Sequence, residues 1–444
     1  MNRYRYALCV LLVLAGVILH QALLVVCGVV ILLVVALRDI WAKYCLNDLR
    51  YQRHFSERKV LFGEKVTLSL SVENAKLLPL PWLEVEDTLP RALDIEGGRL
   101  RRALHNDTML LECLFSPGWY ERVTRRYTVH CNMRGVHGFG PTVLRSGDVF
   151  GFTTREMLLA NHQYILVYPL VVPLTHFGLP ARHPFGERRA PRRLLEDPAR
   201  VIGVRDYMYG DSLRRVHWKA TARAMQLQSK VYEATTTYTL VLFLNVVSQL
   251  DAYYGIHPDL HELAICAAAS VTNWAIDEGY AVGLYANTIM FMPDEEGSGA
   301  GQGAEEQNLA AMLAAQLKRR RIHLPAASSE EQRRRIMETL ARIQTFFGSS
   351  LEDVIMAERT HLPAGATVVI ITSVMSERLV EQLVHLRRGG HSVAVLFIGD
   401  RPSPFRLADV TVYHLGGESA WKDLLERYGR ASTPTPDIAA GLRL

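Results

Sequence analysis

The chain has 444 residues, 49% of them hydrophobic and 21% charged, an ordinary globular balance with room for two or three domains. Its net charge of +5 is too mild to imply an extended anionic partner such as nucleic acid, although a membrane surface is compatible with it. Six cysteines with no CxxC pair and no metal-ligand spacing argue against a disulfide framework and read as reduced, buried thiols in a cytosolic compartment.

From Ala7 to Leu37 the chain is almost wholly apolar, broken only by His20-Gln21. One helix of that length would extend about 46 Å, well beyond a hydrocarbon core of about 30 Å. Two spans turning at His20-Gln21 fit better, making residues 1–40 a transmembrane hairpin anchor. Arg3 and Arg5 precede the run, and Arg38, Lys43, Arg50, Arg53, Arg58 and Lys59 follow it. Basic residues mark the cytoplasmic side, so both flanks are expected there. No small-x-small cleavage site follows a short apolar region, so the segment reads as retained.

Residues 55–172 read as a small β-sandwich. Val66, Leu68, Leu70 and Val72 alternate with polar residues, Pro79 and Pro81 confine the next stretch to an edge or loop, and Tyr164–Tyr168 ends at Pro169. His105, His130 and His137 read as solvated. Residues 173–237 then form a proline- and arginine-rich linker and a distinctive segment. Its arginines lack the interleaved aromatics of a nucleic-acid site.

In that segment Gly210 allows a turn with positive φ and Asp211 can cap a short helix carrying Leu213, Val216 and Ala220 inward. A strand is expected over Leu227–Glu233. The series Arg205, Tyr207, Gly210, Asp211, Arg214, Val216, Trp218, Thr221, Ala222, Arg223, Leu227, Lys230 and Glu233 follows the pattern R-x-Y-x-x-G-D-x-x-R-x-[IV]-x-W-x-x-[ST]-A-R with L, K and E after it. On these residues the chain resembles domain-of-unknown-function family 58. The charges admit two readings. Arg205, Arg214, Arg223 and Lys230 form a docking surface for an acidic partner, or they form an ion-pair lattice with Asp206, Asp211 and Glu233, with Tyr207 and Trp218 as packing anchors.

From Tyr238 strands alternate with helices: Thr239–Leu244, a helix over Asp259–Glu278, Ala281–Tyr285, Val368–Ile371, a helix over Glu377–Arg388, Ser392–Ile398, Val410–Tyr413 and a helix over Ala420–Tyr428. Such alternation implies a mostly parallel, doubly wound α/β domain over 238–430, with a helical insertion at 293–366 that opens on Ser328-x-x-Glu331 as a capping box. The basic runs Lys318–Arg321 and Arg333–Arg335 read as solvated faces, and residues 431–444 as a frayed tail.

The resemblance implies that this domain is similar to a von Willebrand factor A (vWA) module, which holds a divalent cation through D-x-S-x-S after its first strand and an aspartate after a later one. Here Asn245 replaces that first aspartate, Ser248 is out of register and Ser373 stands where the second is expected. Hard cations want carboxylate oxygens, so no metal or other cofactor is expected. Asp251 lies too far along the loop to substitute.

No nucleophile elbow, zinc-protease motif or phosphate loop is present. The expectation is a non-enzymatic binding protein in the bacterial inner membrane, its soluble domains in the cytoplasm. The resemblance implies a MoxR-type AAA+ ATPase as partner. The alternative is a metal-dependent vWA receptor exposed outside the cell.

Overall fold

The computed structural model describes residues 2–103, 108–148, 153–180, 184–185, 195–235, 238–248, 256–289, 321–343, 349–405 and 410–429. The expected tail at 431–444, the first part of the insertion with the basic run from Lys318, Asp251, His105 and linker residues 186–194 lie outside that set. Two compact units follow one another, Met1–Tyr168 and Pro169–Leu444.

The first unit opens with helices α1 (Asn2–Ile18) and α2 (Ala22–Tyr44), which pack against each other. The chain reverses between them where His20 takes a left-handed φ of 51°. The Tyr6 hydroxyl donates to Asp39 Oδ2 at 2.9 Å, so the start of α1 lies beside the end of α2. Two glycines let the backbones approach. A Cβ at Gly16 would fall 2.8 Å from Val25 N, and one at Gly28 would fall 2.6 Å from Val13 Cγ2. By length and composition α2 can cross a membrane; α1 is a shorter apolar helix.

Twelve strands follow: β1 (Leu49–Phe55), β2 (Lys59–Val60), β3 (Lys65–Asn74), β4 (Leu83–Pro90), β5 (Asp94–Glu96), β6 (Arg99–Arg102), β7 (Thr108–Phe115), β8 (Arg122–His130), β9 (Gly135–Phe139), β10 (Thr142–Gly147), β11 (Thr154–Leu159) and β12 (Gln163–Val167). They form sheets ordered β1-β3-β8-β5, β11-β10-β4-β7-β6 and β2-β12-β9. The alternation in β3 does what it predicts: Val66, Leu68, Leu70 and Val72 are buried in one cluster with Val85, Leu111, Phe115, Phe139 and Leu144.

Three expectations for this unit are corrected. β4 is central in its sheet, because it begins at Leu83, after Pro79 and Pro81 have turned the chain. His137 is buried and bonded through Nε2 to Met133 O at 2.9 Å, not solvated. Arg53 is no flanking charge but a core residue of β1, its side chain fully buried.

In the second unit β13 (Leu195–Asp206) pairs antiparallel with β14 (Gln228–Thr235), with a short helix α3 (Trp218–Ala224) between them. Then come β15 (Thr239–Leu244), α4 (Pro258–Asp277), β16 (Ala281–Ile289), β17 (Arg321–Ala327), α5 (Glu330–Arg342), α6 (Leu351–Glu358), β18 (Thr367–Thr372), α7 (Glu377–Arg388), β19 (Ser392–Phe397), β20 (Thr411–His414) and α8 (Glu418–Tyr428). The six strands order as β17-β16-β15-β18-β19-β20, all parallel except β17.

Alternate residues of the central strands face opposite layers. Val241, Phe243, Val368, Ile370, Val393 and Val395 share a core with α6 and α7. On the other face α4 lies over β15, β16 and β18, flanked by α5 and α8.

The expected insertion is in part integral to this sheet. Pro325 disguised β17, which tolerates a proline because it is an edge strand. The cap of α5 is Ser329, which accepts from Gln332 N at 3.1 Å, one residue beyond the expected box. Arg333 is not on a solvated face. It is buried, donating to Asn273 Oδ1 at 2.9 Å and pairing with Asp277 and Glu330.

The start of the expected linker also packs. Val172 N donates to Ser270 Oγ of α4 at 2.9 Å, and Phe185 meets Trp274 edge-on at 5.7 Å.

Candidate functional site

In open, mostly parallel sheets, ligands bind outside the carboxyl ends of the strands where the strand order reverses. Here that point lies beside β15, whose neighbours β16 and β18 are reached by connections running in opposite directions. Asn245 follows the last residue of β15, and its backbone N–H extends the ladder to Ile371 O at 2.9 Å.

The Asn245 side chain is closed into a neutral network. Its Nδ2 donates to Thr372 Oγ1 at 3.0 Å, and its Oδ1 accepts from Val247 N at 3.1 Å and from Asn287 Nδ2 at 2.8 Å. Asn287 Oδ1 accepts in turn from Val246 N at 2.9 Å. The Thr372 hydroxyl donates to Val374 O at 2.7 Å and accepts from Val374 N at 3.1 Å. Asn245, Asn287 and Thr372 are all buried.

Ser248 does not join them. Its Oγ accepts from His257 N at 2.5 Å, fastening the β15 loop to the start of α4. Ser373 is half-buried beside Thr372. Thr372 and Asn287 escaped the sequence reading, which weighed Ser373 for the later aspartate and assigned no role to the end of the second strand. An amide near the carboxyl end of the second strand was the available signal.

These donors do not fit a hard divalent cation. The buried polar groups are amides and a hydroxyl that satisfy one another, and no carboxylate joins them among the described residues. Nor do three or more His, Cys, Asp or Glu gather in a metal-holding group among the described residues.

The signature residues gather in the β13–β14 hairpin. Gly210, at φ 103°, turns the chain so that Asp211 folds back under it. The Asp211 carboxylate accepts from Met208 N at 3.1 Å and pairs with Arg205 at 2.7 Å, while Tyr207 OH donates to Asp211 O at 2.6 Å. The Met208 N–H and Arg205 together hold that carboxyl below its ordinary range. Thr221 Oγ1 accepts from Gln228 N at 3.0 Å, tying α3 to β14. Asp206 accepts from Gln228 Nε2 at 2.5 Å.

The expected helix from Asp211 is instead a 3-10 turn at Leu213–Arg215 followed by α3, with His217 Nδ1 capping Ala220 N at 3.1 Å. Only Val216 of its expected inward stripe is buried; Leu213 is exposed. Trp218 is 69% exposed and so is no packing anchor. Arg214 and Arg223 are exposed and Lys230 half-buried; the side chain of Glu233 lies outside the described set. The charges therefore divide. Arg205 and Asp211 form an ion pair, whereas Arg214 and Arg223 are exposed, as are Met208, Tyr209, Leu213, Trp218 and Met225 of the same segment.

The profile of the family described as Protein of unknown function DUF58 matches residues 203–415. Uncharacterized protein YeaD of Bacillus subtilis (strain 168) is 23% identical over 245 residues, 55% of this chain. The match spans 57% of that relative's length. Among solved structures, the CARDB domain of a Pyrococcus furiosus protein in complex with di-metal ions is 15% identical and matches 27% of this chain and 87% of its own, at a TM-score of 0.19. A cohesin module from Clostridium perfringens is 10% identical, with 27% of this chain and 95% of its own covered, at 0.20. Likeness at these scores carries no weight for fold or function. The profile match covers the signature hairpin and most of the α/β sheet, and over that segment the chain is similar to the DUF58 family.

Proposed function

We propose that the protein is a membrane-tethered adaptor rather than an enzyme. The α1–α2 hairpin holds it in the bacterial inner membrane, both soluble units face the cytoplasm, and the β13–β14 hairpin docks an acidic surface of a MoxR-type AAA+ ATPase, the partner that family resemblance suggests. The observation that carries this reading is the exposure of Trp218 within the signature segment. Large apolar side chains in water, in one short segment with the exposed Arg214 and Arg223, suit a protein interface, where an aromatic anchor and arginines contribute most of the binding energy.

The six-stranded sheet with one antiparallel edge supports a vWA-like module. In this reading its cation has been replaced by the Asn245–Asn287–Thr372 network, which weighs against a metal-dependent receptor outside the cell.

Recovery of partners with the detergent-extracted full chain tests the proposal. Trp218→Ala and Arg214→Ala should each lose ATPase recovery, while the melting temperature stays near wild type, because exposed substitutions change stability by only about 0.5 kcal/mol. Wild-type recovery by both variants would remove the docking face.

A further inference from the structure

The last turns of α2 are stitched to the strand unit that follows. Arg38 Nε donates to Thr153 Oγ1 at 3.0 Å, Trp41 Nε1 to Pro79 O at 3.0 Å, and Lys76 Nζ to Cys45 O at 2.6 Å. Ala75 N donates to Asp48 O at 3.0 Å. The loop between β3 and β4, residues 75–82, is thus held against the end of the helix.

The β7–β8 loop, residues 116–121, is held against the first loop in turn. Leu80 N donates to Pro117 O at 3.0 Å and Tyr120 N to Lys76 O at 3.3 Å. The buried Asn74 side chain bridges both loops, donating to Leu78 O at 2.9 Å and to Gly118 O at 2.7 Å.

This double loop is hydrogen-bonded internally and to the helix end, yet it exposes three large apolar side chains: Leu77 by 70%, Trp119 by 69% and Tyr120 by 66%. Tyr120 adopts a left-handed φ of 49°, which a bulky residue rarely takes without a constraint.

The helix supplies a depth scale. Its apolar run ends at Leu37, and at 1.5 Å per residue Trp41 lies about 5 Å beyond Arg38 and Cys45 about 10 Å. The headgroup layer on each side of a bilayer is roughly 5–8 Å thick. Pro79, bonded to Trp41, is thereby placed at headgroup depth; Leu77 lies two residues before it in the same loop, and Trp119 and Tyr120 belong to the loop bonded to that one. Trp and Tyr favour this layer because their rings are apolar at one end and polar at the other.

We infer that loops 75–82 and 116–121 form a second membrane contact, with Leu77, Trp119 and Tyr120 entering the headgroup layer of the bilayer that α2 crosses and setting the tilt of the strand unit upon it. The inference rests on reading α2 as a membrane span.

The test is tryptophan quenching in the full chain reconstituted into phosphatidylethanolamine–phosphatidylglycerol vesicles, with and without lipid brominated near the headgroup end of its acyl chains. Bromolipid should dim the wild type, and both Trp41→Phe and Trp119→Phe should lose part of that quenching. If Trp41→Phe loses quenching and Trp119→Phe does not, α2 is in the bilayer but the loops are not, and the contact is overturned. Quenching of Trp119 by aqueous iodide, undiminished by vesicles, would also overturn it and leave the loops to a soluble partner. If neither variant changes the quenching and alkaline carbonate strips the protein from the vesicles, the anchor itself fails and takes the inference with it.

Discussion

At the C-terminal edge of β15, one amide decides what the loop can bind. Asn245 uses its carbonyl as an acceptor and its amino group as a donor, so an isosteric carboxylate keeps two of its three partners and loses the bond donated to Thr372. Asn245→Asp should cost about 1–3 kcal/mol, the range for a buried polar group left without its partner. Burial disfavours the ionised form, so the folded variant takes up a proton more readily than the unfolded chain. Its deficit against wild type should shrink as pH falls and grow as pH rises, which thermal melts of both proteins across pH will show. Calorimetry on the wild type should give no saturable Mg²⁺ heat in the micromolar range, about 10⁻⁶ M as for tight oxygen-ligand sites.

His137 and His391 add a second pH effect of opposite sign. Burial pushes both below the ordinary histidine value of about 6.5. The unfolded chain then binds more protons, so stability is intact above that value and lost as pH falls through it toward the folded pKa. Replacing either residue by Gln should flatten that acid limb of the melting curve; an unchanged slope in both variants would dismiss the effect.

At the scale of elements, Arg53 shows what pattern reading misses. It follows the apolar run closely enough to count as a flanking charge, yet it locks three sheets together. From β1 its Nε donates to Asp87 Oδ2 of β4 at 2.8 Å, its Nη1 to Phe139 O of β9 at 3.0 Å, and its Nη2 to Thr142 Oγ1 of β10 at 3.0 Å. Tyr51 OH donates to the same Asp87 Oδ2 at 2.8 Å. Arg53→Leu strands a buried carboxylate and should cost roughly 3–5 kcal/mol, whereas Arg53→Leu with Asp87→Leu should recover part of the loss. Denaturant melts of both variants decide it, and an additive double mutant would show that the pair is not coupled. Periodicity exposed β3 and α4, where hydrophobicity repeats at the period of the element, and an unbroken apolar run exposed the buried strand β15. It could not expose β1, whose inward positions include a charge, nor β17, which carries Pro325. Trp218 misled for a related reason: a large aromatic in a motif reads as core, but nothing in its spacing says which side of a seven-residue helix faces solvent.

Over the whole chain, the side on which each terminus lies decides which partners are reachable. The burial of Arg53 removes one cation from the C-terminal flank, but Arg38, Lys43 and Arg50 remain near the helix end. The hydrogen bond from Tyr6 to Asp39 brings the two ends of the hairpin together, and His20 occupies the reversal between them. At 17 residues α1 is about 25 Å long, shorter than a hydrocarbon core of about 30 Å, so in the proposed hairpin it would enter as the partner of α2 rather than alone. The close approach at Gly16 and Gly28 makes that partnership specific. If the hairpin crosses and returns, a cysteine replacing His20 should react with an impermeant reagent at the outer face of intact cells. One replacing Ala440 should react only after the cells are opened. Labelling of the position-440 cysteine from outside would place the soluble units beyond the membrane and exclude a cytosolic ATPase as their partner. Gly28→Leu supplies the internal check: it wedges α1 from α2, so it should abolish outer labelling at position 20 while leaving α2 resistant to carbonate extraction.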